Sequence, residues 1–236
     1  QYHTLATAGS ACAPEVNNCR FTRPESQDVN FGDWSYKAGI NYQLLPKHHL
    51  YTQYSLGFRP PQATELFRLQ AGQEIARLDS EQLTSFEIGL RSLGENWFYE
   101  ITWFDMQKEN HIFQDTQRQN IDSGETDHQG LEVSVKWHLN TNWYLGAGAI
   151  FADHTYANDI QISRSGSIQG NEIDTAPDKT ANVRLGWKKD ESYWELEWVV
   201  MGDYYLNPEN TASYEGHDLV NLRGGWQIDP QWHLSL

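Results

Sequence analysis

The chain has 236 residues, with 17 Lys and Arg against 32 Asp and Glu and a formal net charge of −15. That balance excludes a surface built mainly to hold nucleic-acid phosphates. Aromatic residues make up 13% of the chain and include 10 Trp, too many for a disordered acidic tail. A mean hydropathy of −0.69, with no run of about 18–20 apolar residues, excludes a helical membrane protein.

Residues 1–30 read as a polar loop segment. Gln1 opens no signal-peptide pattern, and Trp232–Leu236 stop in mid-alternation. The chain therefore reads as a segment of something longer. Cys12 and Cys19 stand in a Pro- and Asn-rich stretch with no metal-ligand partner nearby. A local disulfide is expected there and implies an oxidising compartment. Two unpaired thiols are the alternative.

From residue 31 onward the apolar period is two. Trp34, Tyr36, Ala38, Ile40, Tyr42 and Leu44 alternate with Ser35, Lys37, Gly39, Asn41 and Gln43. The same alternation runs through Phe86–Leu90, Leu131–Leu139, Val183–Trp187, Trp194–Trp198 and Val220–Trp226. About ten strands of roughly 9–15 residues are expected. Gln62–Leu69 is the best helix candidate. Short turns at Leu45–His48, Gly94–Asn96, Asn140–Asn142, Asp190–Ser192 and Asp229–Gln231 alternate with long polar connections at 59–82, 116–128, 158–179 and 206–217. Tight turns on one side and long acidic loops on the other are what a transmembrane β-barrel requires.

Trp97, Trp143, Trp194 and Trp232 follow short turns, and Trp137, Trp187 and Trp226 precede them. Neighbouring strands would place these rings at one height, as a girdle at the lipid headgroups. The polar face then becomes the lumen wall. It carries Lys37, Asn41, Gln43, Gln53, Glu87, Arg91, Glu100, Glu132, Lys136, Asn182, Arg184, Lys188, Glu195, Glu197, Asn221 and Arg223, with opposite charges positioned to pair across strands. The expected fold is all-β, an antiparallel transmembrane barrel with short periplasmic turns and long extracellular loops. Residues 31–236 supply its strands and loops, and 1–30 an extracellular segment.

Several motifs carry a family resemblance in chain order. Tyr54–Phe67 (Tyr-Ser-Leu-Gly-Phe-Arg-Pro-Pro-Gln-Ala-Thr-Glu-Leu-Phe) resembles the strand-then-loop segment of TonB-dependent outer-membrane receptors, and Leu78–Gly89 resembles the strand entry that follows, with Ser80 at the usual Pro. Asn120–Gly124 with Gln129–Glu132, then Ala176–Pro177, then Gly216–Arg223 match later steps. The resemblance covers residues 31–236 and maps to the C-terminal part of the family's barrel, implying about ten strands of roughly twenty-two. The family's plug, TonB box and closing strand are not in this sequence.

The resemblance implies uptake without catalysis. A scarce nutrient, most often a ferric siderophore, binds the outer loops, a plug rearranges, and the TonB complex supplies energy. Implied partners are that complex, outer-membrane lipid and a small-molecule or metal-chelate ligand, with no nucleic acid and no cofactor. Anionic chelates call for bidentate donors and stacking surfaces, so the candidate ligand residues are Arg59, Arg68, Arg77, Arg118, Tyr204, Tyr205, Tyr214 and His217. Rim salt bridges are the plain alternative for the arginines. His48–His49 lacks a third metal ligand and reads as turn histidines. His154 and His217 are rim histidines near acids, but no nucleophile motif accompanies them. A passive porin, a barrel enzyme and a soluble carbohydrate-binding module remain the competing readings.

Overall fold

The computed structural model describes residues 28–67, 76–115, 118–160, 162 and 166–236, with the backbone of 11–12 and 21–22. There β1 (Ala11–Cys12) and β2 (Phe21–Thr22) make a two-residue parallel bridge. The Cys12–Cys19 pairing lies outside the described residues.

The chain then runs through β3 (Tyr36–Leu45), β4 (His48–Arg59), α1 (Ala63–Leu66), β5 (Glu81–Leu93), β6 (Trp97–Gln114), β7 (Asn120–His138), β8 (Trp143–Tyr156), β9 (Lys179–Lys189) and β10 (Ser192–Met201). The small ribbon of β11 (Tyr204–Tyr205) and β12 (Ser213–Tyr214) precedes β13 (His217–Asp229) and β14 (Trp232–Ser235). Ten of these strands form one sheet in chain order, from β3 to β14 without β11 and β12. Neighbours are antiparallel throughout. No described helix is long and apolar enough to cross a membrane.

Register settles which face is which. Leu145, Leu185, Leu196 and Leu222 stand opposite one another across β8, β9, β10 and β13. One step toward the short turns, Trp143, Trp187 and Trp194 form a row, with the Trp143 and Trp194 rings 5.0 Å apart edge to face. Trp97 and Trp137 are partners at the same end of β6 and β7. Beyond contacts with their neighbours in the same sheet these side chains stay accessible: Leu222 is 56% exposed and Trp137 51%. A soluble sandwich buries such a face; a barrel wall turns it to lipid.

The short turns form where side-chain chemistry favours them. Asn140 Oδ1 accepts from the Asn142 and Trp143 amides at 2.9 and 3.0 Å, and Asp229 Oδ1 from Gln231 and Trp232 at 2.8 and 3.0 Å. Such Asx contacts stand in for backbone turns and fix a Trp directly after each. On the lumen face, tyrosine rings lie flat over glycines of the adjacent strand: Tyr51 over Gly89, Tyr144 over Gly186 and Tyr193 over Gly225.

Two connections differ from the expectation. Residues 120–128, expected in a loop, are strand: β6 and β7 are 18 and 19 residues long, and just beyond their paired ends the Arg118 amide donates to Asp115 O at 2.9 Å. About 9–11 residues suffice to span a bilayer, so the rest of this hairpin stands clear of it. There the outward positions are Asp105, Gln107 and Glu109 on β6 and Glu125, Asp127 and Gln129 on β7. Both faces meet water, and the alternation that marks a strand disappears. The helix expected over 62–69 is the single turn α1, whose Glu65 accepts from the Gln62 amide at 2.6 Å.

Candidate functional site: the outer rim and adjoining lumen wall

The lumen wall is a lattice of paired charges. Tyr51 reaches past Gly89 and donates to Glu100 at 2.9 Å, while Arg91 holds the same carboxylate at 2.5 Å and lies 5.2 Å from the Tyr51 ring. The pattern repeats four strands further along the sheet. Tyr144 reaches past Gly186 to Glu195, Arg223 bridges Glu195 and Glu197 at 2.6 and 2.8 Å, and Arg184 joins Glu197 at 2.8 Å. Of the lumenal charges read from the sequence, Arg91, Glu100, Arg184, Glu195, Glu197 and Arg223 therefore compensate one another across strands, whereas Lys37, Glu87, Glu132, Lys136 and Lys188 form no ion pair among the described residues. Around the first of these clusters lies a hollow of about 730 Å³, lined by Tyr51, Arg91 and Glu100 with Lys37, Gln53 and Glu87 among others.

Asp105, Gln129 and Asp153 mark where the outward face stops being apolar, and the rim begins there. Glu81, at the start of β5, is 4% exposed. It takes Arg59 at 2.6 Å, His111 at 2.9 Å, the Ile112 amide at 3.0 Å and Lys108 at 3.4 Å. Burial alone would raise its carboxyl; the hydrogen bonds from His111, Arg59 and Ile112, with the Lys108 charge, outweigh it and hold the group well below the usual carboxylate range. Arg59 also grips Glu65 of α1 with two nitrogens at 3.0 and 3.2 Å. The hydrogen bonds to Glu81 and Glu65 hold the guanidinium firmly protonated.

Two loops interlock above β8 to β13. Asn171 Nδ2 donates to Pro208 O at 2.8 Å, the Glu172 amide to Asn210 Oδ1 at 2.8 Å, and the Thr175 amide to Tyr205 O at 2.8 Å. Under them Tyr156, Ile160 and Ile168 form a small buried core, packed by Phe113, Ile162 and Ile173. The Tyr156 hydroxyl donates to Asp174 at 2.6 Å. Burial first, then that carboxylate, raises the phenol above its ordinary value.

Of the candidate ligand residues, the structure brings three together. The Tyr204 and Tyr214 rings are 5.2 Å apart, and the Tyr214 hydroxyl meets His217 Nδ1 at 2.9 Å. Tyr205 is tied to the neighbouring loop through its carbonyl. Arg59 is engaged by two carboxylates. Arg77 is exposed ahead of β5, and Arg118 is exposed at the β6–β7 tip with a left-handed φ of 65°. Arg68 lies outside the described residues.

Sequence reasoning missed Glu81, Lys108, His111 and His128. Their signal is the lumen-face parity, which continues along β5, β6 and β7 after the outward face has lost its apolar half. His128 Nδ1 lies 2.8 Å from His154 Nδ1, with Thr126 Oγ1 2.9 Å from His128 Nε2. Burial, then the neighbouring His154, pushes His128 down to about 4. His154 is lowered as well, by burial. Among the described residues no three His, Cys, Asp or Glu side chains form a metal-holding group.

An apolar outward face, a charged inward face, tight turns at one end and built loops at the other define an outer-membrane β-barrel wall. The family model described as TonB dependent receptor-like, beta-barrel, matches residues 14–236. The chain belongs to that family, whose members are bacterial outer-membrane proteins. The probable TonB-dependent siderophore receptor PiuA of Acinetobacter baumannii is 22% identical over 197 residues, covering 78% of this chain and 25% of PiuA. The crystal structure of PiuA superposes with a TM-score of 0.68 at 19% identity, covering 83% of this chain and 30% of that one. The ferric yersiniabactin uptake receptor FyuA of Yersinia pestis gives a TM-score of 0.69 at 16% identity, covering 84% and 30%. The chain thus spans under a third of the length of these relatives.

Proposed function

We propose that this chain forms part of the wall and outer loops of a receptor that takes up a ferric siderophore, with the TonB complex supplying the energy. The observation that carries the reading is the Tyr204, Tyr214 and His217 group, held at the outer rim by two interlocked loops. Flat rings and a hydrogen-bonding imidazole suit the planar, oxygen-rich arms of an iron chelate. The relatives' names point to the same ligand class. Residues 1–30 belong to the extracellular side in this reading, with Cys12 and Cys19 disulfide-bonded. The chain acts by binding and conduction, with no catalytic step of its own.

The test uses the full-length protein that carries this chain, purified in detergent. Ferric siderophores of catecholate, hydroxamate and carboxylate type are titrated while tryptophan fluorescence is followed, and uptake of radiolabelled iron is measured in cells. One chelate class should bind, and Tyr204→Ala with Tyr214→Ala should weaken it by about tenfold, or about 1.4 kcal/mol. Binding of none, with free passage of unrelated solutes, would replace this reading with a passive pore.

A further inference from the structure

The lumen face carries one arrangement that siderophore uptake does not call on. His128 on β7 and His154 on β8 are direct register partners. On the other flank of His128, its register partner on β6 is Met106. One transverse row of the wall therefore reads Met106, His128, His154 across three strands, just beyond the outer edge of the apolar band. The two Nδ1 atoms are 2.8 Å apart, and the imidazole planes are tilted by 60°. Beside them Thr126, 3% exposed, presents Oγ1 2.9 Å from His128 Nε2.

Two nitrogens bound to one ion at about 2.0 Å and at right angles are about 2.8 Å apart. The observed separation, spanned by one N–H···N hydrogen bond between the rings, matches that bite once the ion displaces the shared proton, which His154 can carry on Nε2 instead. A neutral imidazole ligates through one nitrogen and keeps its proton on the other. An outer hydrogen-bond acceptor that fixes this tautomer is a recurrent part of metal sites. Thr126 Oγ1 is placed to accept from His128 Nε2–H, which leaves the Nδ1 lone pair facing His154. The row holds no carboxylate, so it offers nothing to hard cations such as calcium or magnesium. Imidazole and thioether select copper and, through imidazole alone, zinc or nickel.

We propose that His128 and His154 form a binding site for a borderline divalent transition-metal ion, copper(II) foremost, with Met106 as the adjacent soft donor. Two protein nitrogens leave coordination positions open to water or to donor atoms of a bound molecule. The site stands apart from the Tyr204, Tyr214 and His217 group and holds whether or not a siderophore is the transported ligand.

The experiment takes the full-length protein in detergent, stripped with a chelator and moved to a non-coordinating buffer. CuCl2 and ZnCl2 are titrated alone, and electron paramagnetic resonance is recorded at sub-stoichiometric copper. The expected result is one tight equivalent whose copper spectrum shows two imidazole nitrogens. That signature is lost in the His128→Asn, His154→Asn double variant. Thr126→Val should weaken binding by about tenfold, and Met106→Leu should weaken copper more than zinc. Heat-modifiable gel migration reports folding of every variant, and the spectrum of the unaltered protein tests the proposal even where a variant fails to fold. A spectrum without two imidazole nitrogens, or a folded double variant with unchanged stoichiometry and affinity, would overturn it.

Discussion

Glu81 shows how much of a rim depends on one carboxylate. It is nearly buried and gathers three positively charged or protonatable partners together with a backbone amide. Removing one member of such a set leaves the others desolvated without a counter-charge. Glu81→Gln should cost about 1–3 kcal/mol, read as a lower urea midpoint in micelles and faster proteolysis near Asn110–Ile112. The acid dependence has a definite sign. The folded carboxyl lies below the ordinary carboxylate value of 4.5, so its contribution is complete above that pH and is lost as pH falls toward the depressed folded value. Unaltered protein should therefore lose stability below about pH 4.5, and Glu81→Gln should flatten that slope. Little of this was legible in the sequence. Arg59 stands out there as a charged residue after a strand, but its carboxylate partners are 6 and 22 positions away; the turn of α1 brings Glu65 to it and the register of β4 with β5 brings Glu81.

Individual strands were legible wherever one face meets lipid and the other water. In β9, Val183, Leu185 and Trp187 alternate with Asn182, Arg184 and Gly186, and the structure keeps that division. A charge therefore has opposite consequences two or three residues apart. Leu185→Arg, in the middle of the leucine row, should destabilise by about 2–4 kcal/mol. Asn182→Arg, which faces the lumen, should stay within about 0.5 kcal/mol. Unfolding of both variants from lipid vesicles distinguishes these outcomes, and equal effects would reverse the assignment of faces. The upper β6–β7 hairpin was illegible for the complementary reason: with water on both sides, Asp105–Glu109 and Glu125–Gln129 have no reason to alternate. The single turn α1 is likewise too short for a helical period to show.

Across the whole sheet, alternation fixes which face is which but leaves one ambiguity. A slip of one residue turns every apolar side chain inward and is rejected at once. A slip of two keeps the faces intact and loses no lipid contact. The tyrosines resolve it. Tyr144 lies where any side chain on its partner would collide, and only Gly186 offers the space. Shifted by two, the ring would meet Arg184 or Lys188 instead. Gly186→Leu should accordingly cost about 1–3 kcal/mol, and the cost should largely vanish in a Tyr144→Ala background when both are measured by urea unfolding. Tyr51 over Gly89 and Tyr193 over Gly225 make the same check at two other seams. The three pairs act as an error-detecting code: each verifies, as a strand is added, a digit of position that hydrophobic patterning cannot read.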